Sequence, residues 1–402
     1  MVDTIEQSVP VFPLPRACPY SPPPEYRQLR ENTPIARVRL ASGADAWAVT
    51  RHEDLRAMLS DPRFSSDRNH PGFPLLIPGG RITLDFRPSL ISMDAPEHGN
   101  ARRAVLGEFT VKRIQALAPR IQQIVDDCLD ALLAAPRPAN LVQALSLPVP
   151  SLVICELLGV PYGDHAFFQS RSSQLLRRTT PRLARKTAVD ELRSYLDDLV
   201  TEKEKQPGDD LLGRQIRRQR EDGASDHEEL VSLGFLLLVA GHETTANMIS
   251  LGTLALLENP ESLAAIRGDP GKTPGAVEEL LRCFTIVEFA TSRVAVEDVE
   301  LGGARIRAGD GVLGLSNAAN HDPETFKNPD EIDIERGARH HMAFGYGPHQ
   351  CLGQNLARME LRIVFDTLFR RIPTLALAVP AGDLPFKEDA NVHGLYELPV
   401  TW

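Results

Sequence analysis

Residues 344–353 read Phe344-Gly345-Tyr346-Gly347-Pro348-His349-Gln350-Cys351-Leu352-Gly353. This stretch sets one cysteine, Cys351, among closely spaced glycines and directly before an amphipathic helix predicted from about Gly353 to Arg371. The glycines let the backbone approach a flat ligand, and the first helical turn directs N–H groups and a positive dipole toward the sulfur. Such surroundings favour a thiolate, which is a ligand for haem iron. The alternative is a buried structural cysteine before a helix.

Composition and charge narrow the class of protein. The 402 residues include 44 Lys and Arg against 54 Asp and Glu, a net charge of −10, which argues against nucleic-acid binding. With 42% hydrophobic and 24% charged residues, the composition is typical of a globular protein. The longest apolar run, near residues 233–241, falls well short of the roughly 20 residues that a membrane-spanning helix needs. We expect no membrane association.

The N-terminus and the cysteines indicate the compartment. The first residues lack the basic and apolar regions of a secretory signal, so we expect a cytoplasmic protein. The cysteines are odd in number and widely scattered, which does not suggest a disulfide framework. They are Cys18, Cys128, Cys155, Cys283 and Cys351.

The N-terminal third combines an extended segment, strands and a loop. Seven prolines between residues 10 and 24 predict an extended lead-in, taken as residues 1–30, lying over the surface. Alternating apolar residues in 35–49 predict a two-stranded sheet, and residues 52–60 predict a helix. Residues 61–91, rich in proline, glycine and polar residues, predict a long loop.

The rest of the chain is mostly helical. The periodicity predicts repeated helices over 96–205 and one long helix over 226–257, which is apolar on nearly all sides in its middle and is therefore expected to run through the centre. Glycine turns in 293–312 predict hairpins, and short strands are expected near the C-terminus. We find no internal repeat or linker. The sequence thus predicts a mainly α fold, one helix-rich domain over residues 1–402 with small peripheral sheets.

The cysteine segment resembles a known family. Phe344, Gly347, Cys351 and Gly353 match the haem-binding loop of cytochromes P450, Phe-x-x-Gly-x-x-x-Cys-x-Gly, and the similarity to soluble P450s of actinomycete bacteria extends over essentially the whole chain. The resemblance implies a P450 fold that holds haem b between the long central helix and the cysteine loop with its following helix. It implies that Cys351 is the axial ligand of the iron, and that Phe344, Gly353 and Ala240 contact the cofactor.

A second motif lies upstream of the cysteine. Glu279 and Arg282 stand at i and i+3 on one helix face, close enough for a salt bridge. Taken alone, such a pair is usually a solvated face. The resemblance implies a structural role, in which the pair fixes its helix to the segment before the cysteine loop, with Arg336 as a third member.

The third motif is Ala240-Gly241-His242-Glu243-Thr244-Thr245 in the central helix. A small residue and a glycine open the helix, and an acid beside a threonine hydroxyl offers a path for protons. It resembles the oxygen-activation motif of P450s, which implies that Thr244 binds dioxygen and water and that Glu243 feeds the proton relay. The alternative is a helix kink with a solvent-facing acid.

A haem carries two carboxylates, which need cations. By the resemblance these are His98 and Arg102, spaced i and i+4, together with Arg293 and His349. Each residue alone could be a surface charge. The sequence departs from the common His-Thr-Arg-x-Arg form by having Gly99 and Asn100, which puts local helix stability in doubt more than the contact.

The substrate pocket is expected to be mostly apolar with few polar anchors. Counting back from Thr244, the helical period brings Leu236, Val239 and Ala240 onto one stripe, which a core face would explain equally well. His70, in the 61–91 loop, either faces solvent or enters the pocket. Further lining is expected from Val287, Phe289, Val392 and His393.

Electrons are expected from a separate protein. The chain has no Gly-x-Gly-x-x-Gly dinucleotide fingerprint followed by an acid, and its length leaves no room beyond the haem domain. The family implies NAD(P)H, a ferredoxin reductase and a ferredoxin. A basic patch suited to an acidic ferredoxin, or alternatively a plain solvated surface, is expected from Lys112, Arg113, Arg358 and Arg362.

The interpretation is a monomeric haem-thiolate monooxygenase that inserts one oxygen atom from dioxygen into an apolar organic substrate, most often by hydroxylation. The actinomycete resemblance suggests natural-product tailoring or xenobiotic oxidation. Other haem-thiolate chemistry, such as epoxidation or C–C coupling, stays open. A haem sensor or electron carrier would use the same cysteine but needs no proton path, and a haem-free scaffold fits the motifs least.

Overall fold

A computed structural model describes residues 10–76 and 87–402 of the chain. The predicted 1–30 lead-in is only partly extended. Val11 and Phe12 form a short strand whose Phe12 side chain is fully buried, and a helix begins at Pro24, where the missing N–H costs no helical hydrogen bond. Part of the predicted 61–91 loop, residues 77–86, lies outside the described residues, as do residues 1–9.

Helices make up most of the described chain, and the long ones agree with the sequence pattern to within one or two residues. They are α1 (Pro24–Asn32), α2 (His52–Ser60), α3 (Glu97–Leu106), α4 (Val111–Ala134), α5 (Pro148–Leu158), α6 (His165–Leu176), α7 (Arg182–Lys205), α8 (Leu211–Glu221), α9 (His227–Glu258), α10 (Pro260–Gly268), α11 (Thr273–Phe284), α12 (Ser316–Asn320) and α13 (Gln354–Arg371).

The strands are short. They are β1 (Val11–Phe12), β2 (Ile35–Leu40), β3 (Asp45–Val49), β4 (Phe64–Ser65), β5 (Ala139–Asn140), β6 (Arg293–Ala295), β7 (Val299–Leu301), β8 (Ala304–Ile306), β9 (Gly311–Gly314), β10 (Ala376–Leu377) and β11 (Pro399–Thr401). The predicted two-stranded sheet of residues 35–49 is the β2–β3 part of a six-stranded sheet with the order β1-β2-β3-β9-β6-β4. Long-range pairing of β3 with β9, which no local pattern encodes, enlarges it.

Helix α9 runs through the centre, as its apolar pattern predicts. It packs against α5, α7, α11 and α13, and most of its residues are buried. The Asp226 side chain caps its start by accepting from the Glu229 N–H at 2.9 Å. None of the helices in the described parts of the chain combines the length and apolar character of a membrane-spanning segment.

Candidate active site

The Cys loop, residues 344–353, is closed by its own backbone. The Cys351 N–H donates to the Phe344 carbonyl at 2.8 Å. Gly347 has a φ of +71°, and a Cβ there would lie 2.6 Å from the carbonyl oxygen of Leu59 in α2, so only glycine fits. The loop ends at Gly353, the N-cap of α13. The thiol is thereby held at the N-terminus of a long helix.

Cys351 borders a space inside the protein. The residue is exposed by surface area, yet burial by the surrounding chain raises the pKa of its thiol. The backbone N–H groups of Gly353 and Gln354 and the charges of Arg102 and Arg358 lower the pKa, but burial prevails. In the chain alone, desolvation thus opposes the thiolate that the helix N-terminus and the nearby arginines favour. A bound metal ion would supply the missing stabilisation of the anion.

A group of basic side chains converges near the loop. We name it the cation cluster: Arg68, His98, Arg102, Arg293 and His349. The His98 and His349 rings stack with centroids 3.9 Å apart. Burial and the neighbouring charge of Arg68 lower the pKa of Arg293 to about 10, and burial together with the nearby cations lowers the pKa of His349 to about 3. The positive charge of the cluster therefore comes from Arg68, Arg102 and Arg293, of which Arg293 is buried and the other two are half-buried.

Hydrogen bonds orient the cluster without neutralising it. Arg102 donates to the Gln350 carbonyl at 2.6 Å, and Arg293 donates to the Ser292 carbonyl at 2.8 Å. The doubt raised by Gly99 and Asn100 is settled, because both lie inside α3, which carries His98 and Arg102 on its first turns.

Helix α9 exposes one stripe in its otherwise buried middle. Ala240 is exposed, and Leu236, Val239 and Thr244 are half-buried, while the neighbours Leu238, His242 and Glu243 are buried. An accessible side in a helix that passes through the centre of the molecule means that it borders an internal space. The Thr244 hydroxyl donates to the Ala240 carbonyl at 2.8 Å.

Glu243 does not share that accessible stripe. Its side chain is 4% exposed and accepts hydrogen bonds from Lys387 and Asn247, each at 3.3 Å. The solvent-facing acid that was the alternative interpretation is therefore wrong. Consecutive helical residues point in different directions, which explains why Glu243 and Thr244 have different surroundings.

Comparison with known proteins decides the family. A family model described as cytochrome P450 matches residues 273–376. Pentalenic acid synthase from Streptomyces avermitilis is 52% identical over 400 residues, which cover 98% of this chain and 98% of that protein. Vitamin D3 dihydroxylase from Streptomyces griseolus is 48% identical, covering 98% of this chain and 97% of that protein. The crystal structure of cytochrome P450 MoxA from Nonomuraea recticatena has a TM-score of 0.89 at 60% identity, covering 97% of this chain and 98% of that one.

The chain belongs to the cytochrome P450 family. The predicted family and helix-rich fold are thus confirmed, and this P450 is a monooxygenase, an enzyme class in which haem iron carries a cysteine thiolate and dioxygen is the oxidant.

The residues present fit a haem. In the cation cluster, three guanidinium groups face one opposing carboxylate, Asp94, which leaves two positive charges for the two carboxylates of a haem. A Cβ at Gly353 would meet no atom within 4 Å, so the chain leaves open space beside the cysteine. Phe344 is held at the same loop by Arg358, whose guanidinium lies 4.5 Å from the centre of its ring.

The meander network fixes the segment before the Cys loop; we use this name for Glu279, Arg282 and Arg336 with the backbone they bind. Arg282 donates to both carboxylate oxygens of Glu279 at 2.8 Å, and Arg336 donates to Glu279 at 3.0 Å. The remaining Arg282 donors reach the carbonyls of Asn320, Pro329 and Glu331. All five N–H donors of Arg282 therefore have acceptors.

The other pocket residues expected from the sequence occupy varied positions. Val287 and Phe289 are half-buried, whereas Val392 is 2% exposed and belongs to the core. The His393 side chain donates to the Pro19 carbonyl at 2.8 Å and stacks on Phe386. His70 accepts from the Gly72 N–H at 3.1 Å through Nδ1 and is half-buried.

Sequence reasoning missed Arg68 and Lys387. Arg68 sits in the predicted loop and joins the cation cluster through the fold, and Lys387 reaches Glu243 from the C-terminal segment. Neither stands in a local motif. Acidic residues adjoin both in the sequence, so local charge gave no signal either.

An open depression of about 520 Å³ lies on the face formed by the starts of α4 and α11 and by α13. Two residues of the predicted basic patch, Arg358 and Arg362, line it. Lys112 and Arg113 lie on the exposed first turn of α4. The Arg358 charge is already matched, because its guanidinium donates to both oxygens of Glu278 at 2.6 and 3.0 Å. Although burial alone would raise it, the pKa of Glu278 falls to about 2 through His341 and Arg358.

Proposed function

We propose that this P450 hydroxylates an apolar organic substrate, as a natural-product tailoring or xenobiotic-oxidising enzyme. The observation that carries the proposal is the accessible stripe of α9, where Leu236, Val239, Ala240 and Thr244 border an internal space with one hydroxyl among apolar groups. Such a wall would take up an apolar molecule and leave few groups to orient it. Relatives named pentalenic acid synthase and vitamin D3 dihydroxylase support the substrate class.

The contacts described above support a role for each site residue. We assign the whole chain, residues 1–402, to one haem domain. Cys351 would be the axial ligand, with Phe344, Gly353 and Ala240 against the cofactor and the cation cluster holding its carboxylates. When bound, the haem supplies activation of dioxygen. Thr244 would bind and orient dioxygen and water through its hydroxyl, and Glu243 would accept and pass protons toward it.

We assign the accessible stripe of α9 and two further residues to the wall of the substrate pocket. Val287 and Phe289 would complete the apolar wall, since both are half-buried. We leave Val392 and His393 out of the wall, because one is core and the other contacts the N-terminal segment.

Electrons would arrive from NAD(P)H through a ferredoxin reductase and a ferredoxin that docks over the depression beside α13. This helix begins directly after the cysteine loop, which supports docking beside its first turns. Lys112 and Arg362 give the face exposed positive charge, which would steer an acidic partner. The enzyme would act as a monomer in the cytoplasm, where such electron donors are available.

The absorption spectrum of the reduced protein with carbon monoxide tests the assignment. The wild type should show the strongly red-shifted Soret band of a haem thiolate, and Cys351→Ala should lose it together with product formation. Cys155→Ala is the matched control, since Cys155 is a buried cysteine in α5. A normal thiolate band in Cys351→Ala would contradict the assignment. Spin-state shifts on titration with terpenoid and macrolide panels would then identify the substrate class.

A further inference from the structure

Glu243 is held by a lysine from the other end of the chain. The Lys387 ammonium lies 3.3 Å from Oε2 of Glu243, and their side chains are 11% and 5% exposed. The Asn247 amide donates to the same oxygen at 3.3 Å. We propose that Lys387 is a positioning residue for oxygen insertion, which holds the Glu243 carboxylate in place as the proton-accepting end of the path to Thr244. This rests on the proposed function.

The direction of the two side chains makes a positioning residue necessary. Glu243 and Thr244 are neighbours on α9 and therefore point in directions that differ by about 100°. Thr244 borders the internal space, whereas Glu243 points into the protein toward Lys387. A proton can pass from one to the other only through water or by rotation of the Glu243 side chain. The position of the Glu243 carboxylate, which Lys387 and Asn247 hold, is therefore the starting point for proton transfer to Thr244.

The segment that carries Lys387 is seated tightly on α9. The Lys387 N–H donates to the Gly394 carbonyl at 2.8 Å, and Phe386 pairs with Leu395, so residues 386–395 form a small hairpin. A Cβ at Gly394 would lie 1.8 Å from the Asn247 side-chain oxygen, which shows how closely the hairpin approaches the helix. The lysine is therefore presented to Glu243 from a fixed support.

The hairpin is anchored on its other side as well. The Arg178 N–H, in the connection between α6 and α7, donates to the Asp389 carbonyl at 2.6 Å, and the Asn391 N–H donates to the Leu176 carbonyl at 2.9 Å. The Arg178 guanidinium also donates to the carbonyls of Glu388 and Ala390. These bonds leave little freedom for the hairpin to withdraw Lys387 while the connection stays in place.

Burial explains what the lysine contributes. A buried carboxylate beside a cation is held in place by the ion pair, and removing the cation leaves it without that restraint. Without Lys387, the Glu243 carboxylate would keep only its contact with Asn247, and proton delivery to Thr244 would start from a less defined position. Lys387 therefore acts through Glu243, not on the substrate, and its removal should weaken proton delivery without affecting cofactor binding.

The test compares three lysine variants in the haem-loaded enzyme with ferredoxin, reductase and a substrate found by titration. Lys387→Met should lower the product formed per NAD(P)H by about three- to tenfold and release peroxide instead. This is a fraction of the roughly 10²- to 10⁴-fold rate enhancement that a positioned proton-transfer group contributes. The solvent isotope effect on product formation in this variant should rise. Lys387→Arg should retain most of the coupling. Lys203→Met, which breaks the Lys203–Asp210 pair of similar burial (2.6 Å; 11% and 13% exposed), should behave as the wild type.

A second readout does not depend on turnover. Lys387→Met should lower the midpoint of urea unfolding in the wild type and much less in a Glu243→Gln background, because the buried anion is then already absent. The double variant should couple no worse than Glu243→Gln alone. Product per NAD(P)H in Lys387→Met equal to that in Lys203→Met would overturn the proposal, as would equal midpoint shifts in both backgrounds. A wild type that forms no product would overturn the proposed function, and this proposal with it.

Discussion

The meander network and the cation cluster are both buried and both rich in arginine, but they differ in how their charges are satisfied. In the meander network, Arg282 is 0% exposed and each of its N–H donors has an acceptor. In the cation cluster, the structure describes one hydrogen bond from Arg293, to a carbonyl, and Asp94 as the opposing carboxylate. The pKa of Arg282 is accordingly raised, although burial lowers it, whereas burial lowers that of Arg293 to about 10.

Under the proposed function, this difference would separate residues that maintain the fold from residues that bind the haem. A buried ion network with every donor satisfied needs nothing from outside, and its loss is felt as lost stability. A buried group of one sign costs free energy in the unliganded chain and recovers it when an anion binds. The net positive charge of the cation cluster therefore supports the proposal that it holds the two carboxylates of a haem.

We expect the greatest loss of stability when the meander network loses Arg282. Arg282→Met leaves the Glu279 carboxylate with Arg336 as its remaining cation and removes the bonds to three loop carbonyls. We expect a loss of about 3–5 kcal/mol in the free energy of unfolding, the usual cost of removing one partner from a buried pair. Urea unfolding followed by circular dichroism measures it.

The control for this change is a surface pair of the same chemistry. Arg305 and Asp298 are 2.9 Å apart with side chains 72% and 50% exposed. Arg305→Met should cost less than about 1 kcal/mol. If Arg282→Met and Arg305→Met lowered the free energy of unfolding equally, burial would not explain the contribution of the meander network to stability.

In the cation cluster, by contrast, we expect that removing an arginine does not destabilise the haem-free protein. Arg293→Met removes one buried positive charge that lies beside Arg68, so the protein without haem should unfold no more easily than the wild type. Haem binding should weaken by about 10- to 100-fold, the value of one charge-assisted hydrogen bond. Transfer of haem to an acceptor protein and urea unfolding with and without haem give the two quantities.

The contrast between the two regions would be contradicted if Arg293→Met lowered both the haem affinity and the stability of the haem-free protein. A large loss of stability in Arg293→Met without haem would show that Arg293 supports the fold as Arg282 does. Arg293→Lys serves as the matched variant, because it keeps the charge and loses the planar donor geometry, and it should retain most of the haem affinity.

Local patterns were enough to predict one of these two regions. Glu279 and Arg282 are three residues apart on one helix, and the cysteine motif is continuous in sequence, so both could be read from spacing. The long helix α9 followed from its apolar middle in the same way. The fold could also be predicted broadly, because helical periodicity repeats over many residues.

The sequence could not predict what depends on contacts between distant segments. Arg68 and Lys387 become important only when loops far apart in the chain meet the site, and no periodicity marks them. The six-stranded sheet was missed because β3 pairs with β9 more than 250 residues later. The raised pKa of the Cys351 thiol has a related origin, since burial is a property of the whole fold, whereas the helix N-terminus is local.

The smallest expected effect tests the same contrast on the surface, where Arg358 is paired with Glu278 and Arg362 is exposed. Arg362→Ala and Lys112→Ala should each slow reduction by an acidic ferredoxin by about two- to fivefold at low salt, and the difference should shrink as salt is added, because exposed charges mainly steer encounter. Lys186→Ala on α7, also exposed, should leave the rate unchanged. Stopped-flow reduction at several ionic strengths measures this.

Arg358→Ala should instead loosen Phe344 and the Cys loop, so its effect on the reduction rate should persist at high salt. If the effect of Arg358→Ala falls as salt is added, the Arg358 charge is available to a partner despite its pairing with Glu278.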